Sequence, residues 1–178
     1  MKFSRTSLDG VWLIELELRG DERGFLARTF CEKEFAAHGL NTRWPQCNLT
    51  LTKHRGMIRG MHFQAEPKPE IKLIRCQTGA VFDVLVDVRR GSPTFGRWES
   101  FELTSQNRRM LYVAGGFAHG FQCLTDGCGL FYQMSESYVP ELARGFRWND
   151  PTAKIAWPLP NPTLSGRDRN LPLLAALP

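Results

Sequence analysis

No stretch of this chain approaches 18 consecutive apolar residues, which leaves no candidate for a membrane-spanning helix. The opening segment, MKFSRTSLDG, has no apolar core, so no secretion signal is expected. The glycosylation-type triplet Asn48-Leu49-Thr50 then carries no weight. Dense runs of lysine or arginine are missing. The nearest are Arg89-Arg90 and Arg108-Arg109, too short for a nucleic-acid tail, so no nucleic-acid partner is expected. Cys31, Cys47, Cys76, Cys123 and Cys128 are odd in number and hold no CxxC pair. That argues against a disulfide framework and a zinc knuckle, and fits reduced thiols in the cytoplasm. Also lacking are a glycine-rich phosphate loop, a GxSxG elbow and an HExxH helix.

What is there is ordinary globular composition, 42% hydrophobic and 23% charged. The 178 residues suffice for one domain with a real core, and no linker or repeat divides them. The net charge of +5 fits an anionic ligand or a merely basic surface equally well.

Strand signals dominate. Val11–Leu18 alternates, with Trp12, Ile14, Leu16 and Leu18 on one parity. Val81–Val88 does the same, with Asp83 and Asp87 opposite Phe82, Val84, Val86 and Val88. Shorter strands are expected at Met57–Phe63, Lys72–Cys76, Trp98–Leu103, Arg109–Val113, Gly120–Leu124 and Leu130–Ser135. Turn residues separate them at short intervals, as in Gly91-Ser92-Pro93 and Thr125-Asp126-Gly127, which suggests a sandwich or barrel. One short helix is expected over Cys31–His38, closed by Gly39, and a second near the C-terminus. The proline-rich tail from about residue 151 is expected to wrap the barrel as loop.

Three segments carry candidate chemistry. Met57–Gln64 places Arg59 and His62 inside an apolar strand, where a buried cation is costly unless paired. Strict alternation sends the two to opposite faces; Gly60 between them marks a place for a bulge that re-aims one. Gly116–Phe121 holds His119 beside glycine at a strand entry, where a ligand approaches closely. In Phe131-Tyr132-Gln133, Tyr132 shares the inward parity of Leu130 and Met134. Taken singly, each reads as well as a satisfied core or turn residue. Lys72 reads as a snorkelling strand-end lysine. Asp21–Phe25 and Ser165–Asp168 read as polar turns. The bare residues therefore give only a small all-β domain with an inward basic and aromatic cluster.

Together these segments resemble the dTDP-4-dehydrorhamnose 3,5-epimerase family over nearly the whole chain. The matching pieces are DERGF at Asp21, Gln46-Cys47-Asn48, IRGMHFQ at Ile58, KLIRC at Lys72, VFDVLVDVR at Val81 and SPTFG at Ser92. GFAHGF at Gly116, Phe131-Tyr132, RWND at Arg147 and SGRD at Ser165 complete the order. The resemblance implies an all-β, cupin-type jelly-roll barrel with one or two short peripheral helices, and a homodimer with an exchanged or paired edge strand. It implies an epimerase acting at C3, C5 or both of a nucleoside-diphosphate 4-keto-6-deoxy sugar, with no metal and no cofactor. His62 takes the place of the base and Asp168 that of the carboxylate orienting it. Lys72 takes that of the cation at the developing oxyanion, and Tyr132 that of the acid. Arg23 and Arg59 match diphosphate clamps, and His119, Gln46 and Asn48 substrate contacts, the last two on a loop. Tyr138 matches an aromatic stacking on the base.

Three positions depart from the family pattern. Arg28 stands where a glutamate is usual, Cys47 for an aspartate and Ala143 for another acid. The loss of negative charge leads to the expectation that the chain prefers a nucleotide other than dTDP, or tolerates several. Two alternatives remain within the fold. A metal-dependent cupin needs two or three histidines and a carboxylate about one ion, whereas His62 and His119 form no HxH. A catalytically dead sugar-nucleotide binder would show no proton exchange with solvent.

Overall fold

Alternating apolar residues close into two facing antiparallel sheets in the computed structural model, which describes residues 1–177. The strands are β1 (Lys2–Arg5), β2 (Val11–Glu15), β3 (Arg19–Asp21), β4 (Gly24–Leu26), β5 (Gln46–Thr52), β6 (Ile58–Gln64) and β7 (Lys72–Thr78). They continue with β8 (Ala80–Asp87), β9 (Trp98–Thr104), β10 (Met110–Val113), β11 (Phe117–Cys123), β12 (Cys128–Met134) and β13 (Ala143–Gly145). One sheet runs β1-β2-β10-β7-β12-β5, the other β13-β6-β11-β8-β9, and β3-β4 forms a separate hairpin. This is the jelly-roll barrel of cupin type. Between the sheets lie Ile74, Val81, Leu85, Leu111, Phe121 and Leu130, sealed from solvent.

The outer faces are covered unequally. Helix α1 (Glu32–Ala37) sets Phe35 against Ile14, Leu73, Met110 and Tyr112 on the six-stranded sheet. Gly39 follows it at φ +69, as a helix-closing glycine should. The segment after residue 150 lies over the five-stranded sheet, packing Ile155, Leu174 and Leu177 on Met61, Val84 and Val86. It is tied down by Ile58 N–H donating to the Thr163 carbonyl at 3.0 Å. The short helix α2 (Gly166–Arg169) lies in this segment, so Ser165–Asp168, read as a turn, forms the cap and first residues of a helix.

Four sequence expectations change. The strand that begins at Val11, β2, ends at Glu15 rather than Leu18, and Val11 is as buried as Ile14, because α1 covers the face opposite the barrel interior. Gln46 and Asn48 stand on the strand β5, not on a loop. His119 lies inside β11 rather than at its entry. Asp83 and Asp87 are fully buried, since both faces of β8 are covered.

Candidate active site

The parity problem at Arg59 and His62 is resolved by a bulge. His62 of β6 lies opposite His119 of β11, and Arg59 opposite Phe121, so three steps on β6 match two on β11. Directly paired residues share a face, so Arg59 and His62 both turn toward the barrel interior. Gly60 permits this. It sits at φ +137, and a Cβ there would lie 2.5 Å from the Gly120 Cα.

His62 Nε2 lies 2.7 Å from Asp168 Oδ1, an oxygen contributed from 106 residues away by α2. The second oxygen accepts from the Gly60 N–H at 3.2 Å. The Asp168 N–H in turn donates to Ser165 Oγ, the cap of α2. Burial opposes the charged form of Asp168, but the hydrogen bond and charge of His62 and the Gly60 N–H outweigh it. Its carboxyl is held below the ordinary range. Nδ1 is the ring nitrogen not facing Asp168.

Across the barrel stand Lys72 and Tyr132. Tyr132 pairs with Ile74, two residues along from Lys72, so both side chains face inward as the parity requires. The Lys72 ammonium contacts Glu70 Oε1 at 2.8 Å. Burial pushes the Tyr132 phenol well above its usual pKa. The His119 ring meets Tyr132 edge-on at 5.8 Å between centroids. His119 Nε2 lies 2.8 Å from Asp83 Oδ2, deep in the interior. Burial raises the Asp83 carboxyl while His119 opposes the rise, and Asp83 Oδ1 has no partner among the described residues.

One cavity is lined by His62, Glu70, Lys72, Met134, Tyr138 and Arg167. Ala143 and Arg144 also border it. The Gln46 and Asn48 amides reach the same place, approaching Met134 Sδ at 3.4 and 3.2 Å, and Gln46 Oε1 accepts from the Tyr138 N–H. Arg59 is tied back to β5, through Thr52 Oγ1 at 2.9 Å and the Leu51 carbonyl.

Arg23 is not brought in. It projects from the β3-β4 hairpin, paired with Asp21 at 2.6 Å and almost fully exposed. Of the three departures, only Ala143 borders the cavity. Arg28 is neutralised by Glu34 at 3.1 Å, and Cys47 is exposed on the parity opposite Gln46 and Asn48. The expectation of an altered nucleotide thus loses two of its three supports within the chain. Residue reading missed Asp83, Glu70 and Arg167. Asp83 had a visible signal, an acid among apolar residues two strands from a histidine. Glu70 and Arg167 look like surface charge in the sequence. Among the described residues no three His, Cys, Asp or Glu side chains are grouped so as to hold a metal ion.

Comparison with known proteins bears on the chain as a whole. The family model for dTDP-4-dehydrorhamnose 3,5-epimerase matches residues 5–176. A curated dTDP-4-dehydrorhamnose 3,5-epimerase from Methanothermobacter thermautotrophicus is 44% identical over 172 residues, covering 95% of this chain and 92% of that protein. The crystal structure of the same-named enzyme from Bacillus anthracis, with TDP and PPi bound, is similar at TM-score 0.94. It is 40% identical and covers 97% of this chain and 98% of that one. A 4-keto-6-deoxy sugar epimerase from the novobiocin biosynthetic gene cluster of Streptomyces spheroides also reaches TM-score 0.94, at 40% identity, covering 98% of this chain and 88% of that one.

Proposed function

The chain belongs to the dTDP-4-dehydrorhamnose 3,5-epimerase family, and from that premise we propose how its cavity performs the inversion. It is an isomerase that epimerises a nucleotide-linked 4-keto-6-deoxy sugar. The observation that carries the residue assignment is the His62–Asp168 pair, which opens on the cavity that Lys72 also lines.

A ketone at C4 acidifies the hydrogens on the neighbouring carbons, because the carbanion left behind delocalises onto O4 as an enolate. His62 takes that proton on Nδ1, the nitrogen turned away from Asp168. General-base catalysis of this kind supplies about 10²–10⁴-fold. The carboxylate of Asp168 holds the ring and stabilises the imidazolium that forms. The Lys72 ammonium receives the charge developing on O4, an interaction worth roughly 3–4 kcal/mol for one well-placed donor. Tyr132 returns a proton to the opposite face of the carbon. Its raised pKa suits an acid that must stay protonated until the carbanion appears. His62 ends with one proton more and Tyr132 with one fewer, and exchange with solvent resets both.

Arg59, His119, Gln46 and Asn48 bind the substrate around this centre, and Tyr138 at the rim stacks on the nucleotide's base. The substrate is a dTDP-linked sugar, as the names of the relatives indicate. Arg23 clamps the diphosphate from a second copy of the chain. The support for a homodimer is apolar surface left open in one copy: Leu49 and Leu51 on the edge strand β5, and Phe25 and Leu26 on the hairpin that carries Arg23. A cytoplasmic location fits five free cysteines and the absence, among the described residues, of any helix long and apolar enough to cross a membrane.

The test is incubation with dTDP-, GDP- and CDP-linked 4-keto-6-deoxy sugars in D₂O, read by NMR. Deuterium is expected at the inverted centres, at least tenfold faster on the dTDP sugar. His62→Ala is expected to abolish uptake while nucleotide-sugar binding survives. Uptake by the variant within tenfold of the parent would sink the assignment of the base.

A further inference from the structure

Three basic side chains of the site each face one carboxylate. Asp168 of α2 faces His62, and Asp83 of β8 faces His119. Glu70, on the segment leading into β7, contacts Lys72 at 2.8 Å. The first pair makes the base. The third has no place in the scheme above. We propose that Glu70 is a positioning residue for epimerisation, fixing the Lys72 ammonium where the O4 charge develops. The inference rests on the oxyanion role given to Lys72 above.

The geometry and the charge accounting point the same way. Both side chains of the pair are only 9% exposed, and an ammonium ion so placed is costly without a partner. Lysine is a point charge on a flexible stem, so without a fixed neighbour its direction is not set by its own shape. A Glu70 oxygen uses one of its three N–H donors and leaves two to turn into the cavity. The other acids are committed. Asp168 holds His62, and Asp83 Oδ2 holds His119. Yet Asp83 lies close enough to feel the Lys72 charge, and its Oδ1 lacks a partner among the described residues. Removing Glu70 therefore leaves the ammonium one competing destination, deeper in the barrel and away from the mouth where Glu70 and His62 line the cavity together.

A group that acts only through Lys72 must lose its effect when Lys72 is gone. The experiment is steady-state kinetics and deuterium uptake on the keto sugar for Glu70→Gln, Lys72→Met and the double variant. Glu70→Gln is expected to lower kcat and deuterium uptake at least tenfold, with KM within threefold of the parent. Adding it to Lys72→Met is expected to change the remaining rate less than threefold. If Glu70→Gln does not fold, Glu70→Asp, which keeps the charge but withdraws it by one methylene, takes its place. At least a threefold fall in kcat is then expected, absent in the Lys72→Met background. A kcat within twofold of the parent for the folded single variant, beside an inactive Lys72→Met, overturns the role of Glu70 alone. The same holds if the loss persists undiminished in the Lys72→Met background. Full activity in Lys72→Met overturns the oxyanion reading, and the inference with it.

Discussion

In the proposed reaction His62 and Tyr132 divide one task between two very different environments. The ring of His62 is partly open to the cavity and bound to a carboxylate, whereas the phenol of Tyr132 is pressed among Ile74 and the interior cluster. Tyr132→Phe removes the donated proton and keeps the ring's packing. Carbanion formation at His62 then persists and inversion fails, so deuterium is expected to enter with retained configuration. Full epimerisation by this variant would show that water or another group delivers the proton. Most of these side chains are visible in the sequence as types; period and spacing do not show their pairing, and the family resemblance alone implies that of His62 with Asp168. Asp168 reads as a turn residue because its partner lies 106 positions away. Asp83 reads as the polar half of an alternating strand because nothing local says that both faces of β8 are covered.

The bulge in β6 decides where the His62 ring points, and glycine decides the bulge. At φ +137 with Gly120 backbone in the place of a Cβ, Gly60→Ala has no relaxed position. The expected loss is at least about 3 kcal/mol. Calorimetry is expected to show Tm lower by roughly 6–12 °C, with kcat falling as His62 is displaced. A variant of unchanged Tm would refute this account of the strand. Strand β5 shows why pattern alone fell short. Its polar Gln46, Asn48 and Thr50 share the face of Tyr132 and Leu130, while Leu49 and Leu51 turn outward and lie exposed. That inversion of the usual alternation makes a functional strand look like loop. The turn after β8 carries a pH signature. Burial alone would raise the Asp87 carboxyl, but Arg89, Ser92 and Thr94 bring it down to about 2 from 3.8. A depressed folded pKa means stability fully present above the unfolded value and lost as pH falls through the folded one, roughly 2 kcal/mol in all. Asp87→Asn is expected to flatten the stability change between about pH 4 and 2. An unchanged slope in denaturant titrations at those pH values would remove the turn from the acid limb.

At the scale of the molecule, the site is divided between the barrel and what lies against it. The sandwich-or-barrel class, eight of the strands and the first helix were legible from period and turn residues. The coverage of the outer faces was not, because it depends on segments far apart in the chain. The hairpin bearing Arg23 does not line its own chain's cavity, and in a twofold dimer the same patch serves both copies. Arg23→Ala and His62→Ala are each expected to be inactive. Co-expressed, they are expected to recover about a quarter of parental activity, since half the dimers are mixed and each mixed dimer holds one intact site of two. No recovery would place Arg23 outside the partner's cavity.

The pairing of His62 with Asp168 also sets an order of birth. At about 5–20 residues per second, the carboxylate is added some 5–20 s after the imidazole it serves. Strands of both sheets are made before α2 exists, so the emerging chain passes through a stage that has its base but not the group that orients it. A message broken between codons 144 and 165 would never add Asp168, and would also lack the segment whose Ile155, Leu174 and Leu177 cover Met61, Val84 and Val86. It would keep the His62, Lys72 and Tyr132 positions in sequence and lack the carboxylate that lies against the His62 ring.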